Sequence, residues 1–143
     1  MHKSREGFTL LEAVLFLCIA GMLLGIAGSA FLRRSPGIFL DKAVWEIHSR
    51  MNQARFKAIL EKRKIRFTFT SSGYIMDEYD PELGDWKKLL SRELEEVRIE
   101  ANNRPIFHPL GIVSNLASIH VSNSAGRYRI SLAISGRIKV AGP

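Results

Sequence analysis

Residues Gly7-Phe8-Thr9-Leu10-Leu11-Glu12 lead into Ala13 to Leu32, AVLFLCIAGMLLGIAGSAFL, a run without a charge. At about 1.5 Å of rise per residue, a helix over that run spans about 30 Å, the thickness of a bilayer core. Gly21, Gly25 and Gly28 are poor helix formers in water but common in membrane helices. Gly21 and Gly25 also make a G-x-x-x-G pair, which permits close helix approach. Arg33 and Arg34 stop the run, and Ser35-Pro36-Gly37 breaks or kinks it. Glu12 is the anomaly. A carboxylate just inside an apolar segment costs about 3 kcal/mol unless something pairs with it. A bare anchor gains nothing from that charge, whereas a subunit that docks on another does. If the chain is cut before Phe8, Glu12 lies one helical turn from an amino-terminal cation, its own or a neighbour's. Lys3 and Arg5 on one side nearly balance Arg33 and Arg34 on the other, so charge orients the segment only weakly.

The Gly7–Glu12 stretch resembles the type IV prepilin signature. The resemblance implies a leader over residues 1–7 that a dedicated prepilin peptidase cuts after Gly7, methylating the new N-terminal Phe8. It implies that Glu12, fifth in the mature chain, contacts the N-terminus of the preceding subunit and sets assembly register. Residues 8–34 would then be a single transmembrane helix, and residues 35–143 a domain outside the cytoplasm. The chain would sit in the cell membrane and, after assembly, in a pilus or pseudopilus. Two plainer readings compete. One is a secretory signal peptide, with Ala27-Gly28-Ser29-Ala30 offering a cut before Phe31. The other is an uncleaved anchor. Neither accounts for the Gly-Phe junction or for Glu12.

Beyond Pro36 the periodicity changes. Leu40, Ala43, Val44, Ile47, Met51, Ala54 and Ala58 recur at helical spacing, with Lys42, Glu46, Arg50, Lys57 and Glu61 around them. This predicts an amphipathic helix over 38–62 whose stripe packs on a sheet, with Asp41 favouring the N-terminal end of the dipole. The basic run Lys62-Arg63-Lys64 closes it as a cap and turn. Ile65, Phe67 and Phe69 alternate with polar residues, Ser71-Ser72-Gly73 turns, and Tyr74-Ile75-Met76 opens a second strand. Met76 to Trp86 holds Asp77, Glu78, Asp80, Glu82 and Asp85 with Pro81 and Gly84. The spacing is not that of an EF-hand, so a solvated acidic loop is expected there, not a calcium site. Leu94, Val97 and Ile99 mark a further strand, and residues 104–111 a loop fixed by two prolines and a glycine.

The last third is the clearest β region. Ile119 and Val121 alternate, Asn123 to Gly126 turns, and Tyr128, Ile130, Leu132 and Ile134 share one face. Ile138 and Val140 keep that face only if the final hairpin has a three-residue loop, Ser135 to Arg137, which pairs Ile134 with Ile138 and Leu132 with Val140. Arg127, Arg129, Arg137 and Lys139 then form one exposed cationic patch. It is equally a phosphate-contacting surface and a solvated, charge-protected edge.

The formal net charge is +7, and cleavage after Gly7 lowers it by one. That excess favours an anionic partner without choosing which. Cys18 is the sole cysteine, which excludes an intramolecular disulfide and a cysteine metal cluster. His2, His48, His108 and His120 lack metal-ligand spacing, and no nucleophile elbow or phosphate-cradling glycine loop is present. No catalytic residue, metal, cofactor or small-molecule substrate is expected, and the chain is not read as an enzyme.

A second resemblance covers Met51 to Ile59, then Phe107 and Gly111, then Ser135-Gly136-Arg137-Ile138-Lys139-Val140. These segments resemble minor pilins of the general secretion H type and their competence-pilus relatives. Gly136-Arg137-Ile138-Lys139 is similar to a G-R-x-R element of a DNA-binding minor pilin in that group, with lysine in the last place. Lysine keeps the charge but loses the bidentate fork. The resemblance implies an α+β pilin-like fold, a long N-terminal helix carrying a small antiparallel sheet. It also implies partnership with other pilin or pseudopilin subunits. The expected function is a minor pilin of a DNA-uptake pilus. The alternative is a minor pseudopilin of a type II secretion system with a structural tip role.

Overall fold

The computed structural model describes residues 9–31 and 35–142, with side chains over 9–25 and 35–142. The chain falls into two units, Met1–Arg34 and Ser35–Pro143.

Among the described residues the first unit holds one helix, α1 (Leu10–Phe31). Thr9 caps it: its Oγ1 accepts a hydrogen bond from the Glu12 amide at 3.3 Å. Leu10, Leu11, Phe16, Leu17, Met22 and Leu24 are all exposed. Among the described residues no helix is long and apolar enough to cross a membrane. The expected span reaches residue 34, and its end lies outside the described residues.

The second unit begins with α2 (Pro36–Glu61), two residues earlier than the periodicity predicts. Proline suits the first helical position, where its missing N–H would have no partner in any case. All seven residues of the expected stripe, Leu40 to Ala58, are buried. Asp41 corrects its assignment. It lies beyond the first turn and accepts a hydrogen bond from the Tyr128 hydroxyl at 2.7 Å. At the other end Lys62 takes the left-handed conformation (φ 54°) that terminates a helix.

Among the described residues nine strands follow: β1 (Ile65–Phe69), β2 (Gly73–Asp80), β3 (Asp85–Glu93), β4 (Arg98–Ala101), β5 (Ile106–Phe107), β6 (Val113–Ser114), β7 (Ser118–Asn123), β8 (Gly126–Leu132) and β9 (Ile138–Ala141). They make two antiparallel sheets, β3-β2-β1-β5-β6 and β4-β7-β8-β9. The stripe of α2 meets the inner faces of both. Val44, Ile47 and Met51 share one core with Phe67, Tyr74, Phe107, Ile119, Val121 and Ile130. The architecture is the expected α+β arrangement of a helix on antiparallel sheet.

Three expectations are corrected. The acidic segment is not a solvated loop: only its tip, residues 81–84, turns, and Asp77 and Glu78 are buried on β2. Arg66 pairs with Asp77 at 2.9 Å, and Arg63 with Glu78 at 2.8 Å. Cations from β1 and the preceding turn let two carboxylates enter the sheet. The strand expected over Leu94 to Ile99 starts only at Arg98, because Glu96 adopts a left-handed φ of 55° in the preceding turn. The final hairpin has the expected loop length but a different register. Leu132 pairs with Ile138 and Ile130 with Val140. Its loop is Ile134-Ser135-Gly136, with the Gly136 amide bonded to the Ala133 carbonyl and Gly136 at φ 78°. A type I turn closed by a left-handed glycine is the usual three-residue solution. The two-residue shift leaves face parity intact, so the apolar face survives, but Ile134 is expelled from the ladder and is 63% exposed.

Candidate functional site

The register of β7, β8 and β9 builds the outer face of the C-terminal sheet. Arg129 lies between His120 on β7 and Ala141 on β9. Lys139 lies opposite Ser131 on β8. Arg137 precedes Lys139 by two residues, and its carbonyl accepts from the Ala133 amide at 2.9 Å. Read along the sheet, Arg127, Arg129, Lys139 and Arg137 therefore follow at equal steps of two residues, about 6.8 Å each. The line moves one strand sideways, about 4.8 Å, between Arg129 and Lys139. All four residues are exposed. The register expected from sequence would have left a gap in this line; the observed one closes it.

Arg127 is not free. Its guanidinium donates to Glu100 on β4 at 3.1 Å, and Arg98 meets the same carboxylate at 3.3 Å. Arg129, Arg137 and Lys139 make no ion pair among the described residues. His120 stands on this face between Glu100 and Arg129, pointing away from the core as the alternation predicts. Arg98 and Glu100 are the members of this face that sequence reasoning missed. Their signal was the alternation Arg98-Ile99-Glu100, which becomes informative only once β4 is known to pair with β7.

Below the face lies a clamp. Arg55 from α2 donates through Nε to the Gly111 carbonyl at 3.2 Å and through a terminal nitrogen to the Ser135 carbonyl at 3.0 Å. A Cβ on Gly136 would stand 2.5 Å from that Nε and 2.7 Å from the Gly111 oxygen. The segments around Arg55, Gly111 and Gly136, which carry the likeness to H-type minor pilins, thus converge in space although 80 residues separate Arg55 from Ser135. Gly7 and Phe8 lie outside the described residues. Glu12 is exposed on the first turn of α1. With Thr9 three residues before it, Glu12 also completes the spacing of a capping box, a local role beside the assembly role that the resemblance implies.

No protein-family model matches the sequence, and no curated protein matches it. Solved structures do. The minor pseudopilin EpsH of the type 2 secretion system of Vibrio cholerae superposes with a TM-score of 0.63 at 12% identity, over 72% of this chain and 96% of that one. A second EpsH structure gives 0.61 at 12% identity, over 72% and 95%. The type IV minor pilin FimU of Pseudomonas aeruginosa gives 0.58 at 15% identity, over 71% and 87%. The chain has the minor-pilin fold. Within that fold, the described residues contain no group of three or more histidine, cysteine or carboxylate side chains placed to hold a metal ion.

Proposed function

We propose that this chain is a minor pilin-like subunit of a DNA-uptake pilus, and that the outer face of its C-terminal sheet contacts the DNA backbone. The continuous line Arg127, Arg129, Lys139 and Arg137 carries this reading. Evenly spaced cations suit a polymer of evenly spaced negative charges, and they confer affinity without sequence preference. In this reading residues 1–7 are a leader cut after Gly7, and Phe8 is methylated. Residues 8–34 cross the membrane once, residues 35–143 stand outside the cytoplasm, and Glu12 guides insertion into the filament. A second apolar stripe on α2 supports assembly with other pilin-fold subunits. Ile38, Trp45, Phe56 and Leu60 are each at least 60% exposed and lie opposite the core stripe.

The test is a gel shift with residues 35–143, a unit that holds the globular core within itself. Changing Arg127, Arg129, Arg137 and Lys139 together to alanine is expected to weaken binding at least tenfold. It should also flatten a salt slope of about −3 to −4 toward zero. Unchanged binding removes the DNA contact. Sequencing the mature N-terminus checks the leader: methylated Phe8 is expected, and Met1 or Phe31 refutes the cut.

A second reading is a minor pseudopilin of a type II secretion system, with the same face turned to neighbouring subunits. The fold shared with EpsH, a minor pseudopilin of a type 2 secretion system, motivates it. No DNA affinity in the gel shift, together with secretion genes beside the locus, selects it.

A further inference from the structure

The end of the globular unit where α2 finishes carries two surfaces that share only Arg137 with the cationic line. The first is the tip of the β2–β3 hairpin, Asp80-Pro81-Glu82-Leu83-Gly84-Asp85, three carboxylates and no base. Leu83 at its apex is 77% exposed. The turn is fixed. The Gly84 amide bonds to the Asp80 carbonyl at 2.9 Å, the Glu82 amide to Asp80 Oδ1 at 2.9 Å, and Gly84 sits at φ 65°.

The second surface is formed by loops 108–112 and 133–137, which contain no acidic residue. Leu110 is 86% exposed, Ile134 63% and Ile112 45%. Arg137 stands exposed beside them. Arg55 holds both loops, so these apolar side chains sit on a backbone fixed in advance. Exposed apolar groups on a rigid frame mark a contact surface.

Topology relates the two. In the sheet β3-β2-β1-β5-β6 the hairpin tip leaves from one edge and loop 108–112 from the other. Ile65 pairs with both Glu78 and Phe107, so both leave at the same end of the sheet. Four strand spacings separate the edges, about 19 Å. An acidic knob on one edge and an apolar, cation-flanked seat at the same height on the other define a heterologous contact, which repeats without closing on itself unless the rotation makes a ring.

We propose that two copies of this chain bind side by side. Leu83 of one copy seats among Leu110, Ile112 and Ile134 of the next, and Glu82 and Asp85 face Arg137. Charge complementarity selects the occupant, because the knob carries three carboxylates and no base, and the seat carries Arg137 and no acid.

Disulfide trapping of the full chain in membranes tests this, in a Cys18→Ser background. A chain carrying Leu83→Cys and Leu110→Cys is expected to give dimers and a ladder of higher species on mild oxidation. The yield should be at least tenfold above a control carrying Leu83→Cys and Ser122→Cys. Glu82→Arg should abolish the ladder, and adding Arg137→Glu should restore it. A yield no higher than the control overturns the proposal. So does efficient trapping by Leu83→Cys alone, which means a two-fold contact, or trapping only to a different protein. Glu82, Leu83 and Leu110 lie off the cationic line, so the Leu83→Cys, Leu110→Cys ladder and the gel shift are read independently; Arg137 belongs to both surfaces, so Arg137→Glu is scored on the ladder alone.

Discussion

The two sheets of the globular unit use charge in opposite ways. On β1 and β2, Asp77 and Glu78 are each 8% exposed, and Arg66, Arg63 and Lys57 neutralise them. Arg66 also stacks over Trp86, 4.2 Å from the ring centre. On β8 and β9 the cations outnumber the carboxylates, and among the described residues only Glu100 answers them. Charges that neutralise one another in a half-buried setting hold strands together and leave no field for a ligand. Exposed cations without partners add little to stability and remain available to an anion. On the faces of the sheets, the charges of the first are paired within it, and those of the second stand open to solvent.

The largest expected effect strikes the frame beneath both. Gly136→Ala must tolerate φ 78° and a Cβ 2.5 Å from Arg55 Nε, so it should cost about 3 kcal/mol. A urea titration reads this as a fall in midpoint. A midpoint within error of the parent breaks the clamp.

The alkaline limb of stability comes next. Burial, then the Glu46 carboxylate, push the Tyr74 phenol up to about 12. The native state thus holds this proton more tightly than the unfolded chain, whose value is 10.0. That stability is complete below pH 10 and lost as pH rises toward 12, about 3 kcal/mol in all. Lys57, raised by its hydrogen bond to Glu61 and then by Glu78, adds in the same direction. Tyr74→Phe should flatten the fall in stability between pH 10 and 12.

Glu78→Ala sharpens the contrast directly. It removes the carboxylate that Lys57 and Arg63 share, and both partners are partly exposed, so the expected loss is about 1–2 kcal/mol. Glu100→Gln, on the other sheet, should leave the urea midpoint unchanged within about 0.5 kcal/mol. It should also raise DNA affinity about two- to fivefold, since Arg98 and Arg127 are released. A stability loss equal to that of Glu78→Ala would erase the distinction between the sheets.

The smallest effect is at acid pH. Burial, then the charge of Lys64, lower the pKa of His108, whose ring meets Ser114 Oγ at 2.7 Å. The native state prefers the neutral ring, so its contribution is present above pH 6.5 and lost as pH falls through the lowered value. His108→Gln should remove that part of the acid slope.

Much of this was legible in the residues. The stripe from Leu40 to Ala58 is read directly, because a helix repeats its face every three to four residues whatever it packs on. The face parity of Tyr128, Ile130, Leu132, Ile138 and Val140 survives a register shift, because an even shift keeps a strand's faces. The acidic segment was not legible. Whether Asp77 and Glu78 meet water or cations depends on β1 lying beside β2, which their own spacing does not encode. The cationic site was half legible: Arg127, Arg129, Arg137 and Lys139 are visible one by one, whereas Glu100 and Arg98 join them only through β4 pairing with β7.

The sequence by itself determined the elements, which face of each is apolar, and the unusual Gly7–Glu12 entry to an apolar helix. These depend on local geometry and on the period of the chain. Only the tertiary structure decided which charges are neutralised and which stand open, and that Lys139 falls opposite Ser131 to complete an even line. Pairing between strands distant in sequence sets those distances, and Coulomb interactions depend on distance in space, not along the chain.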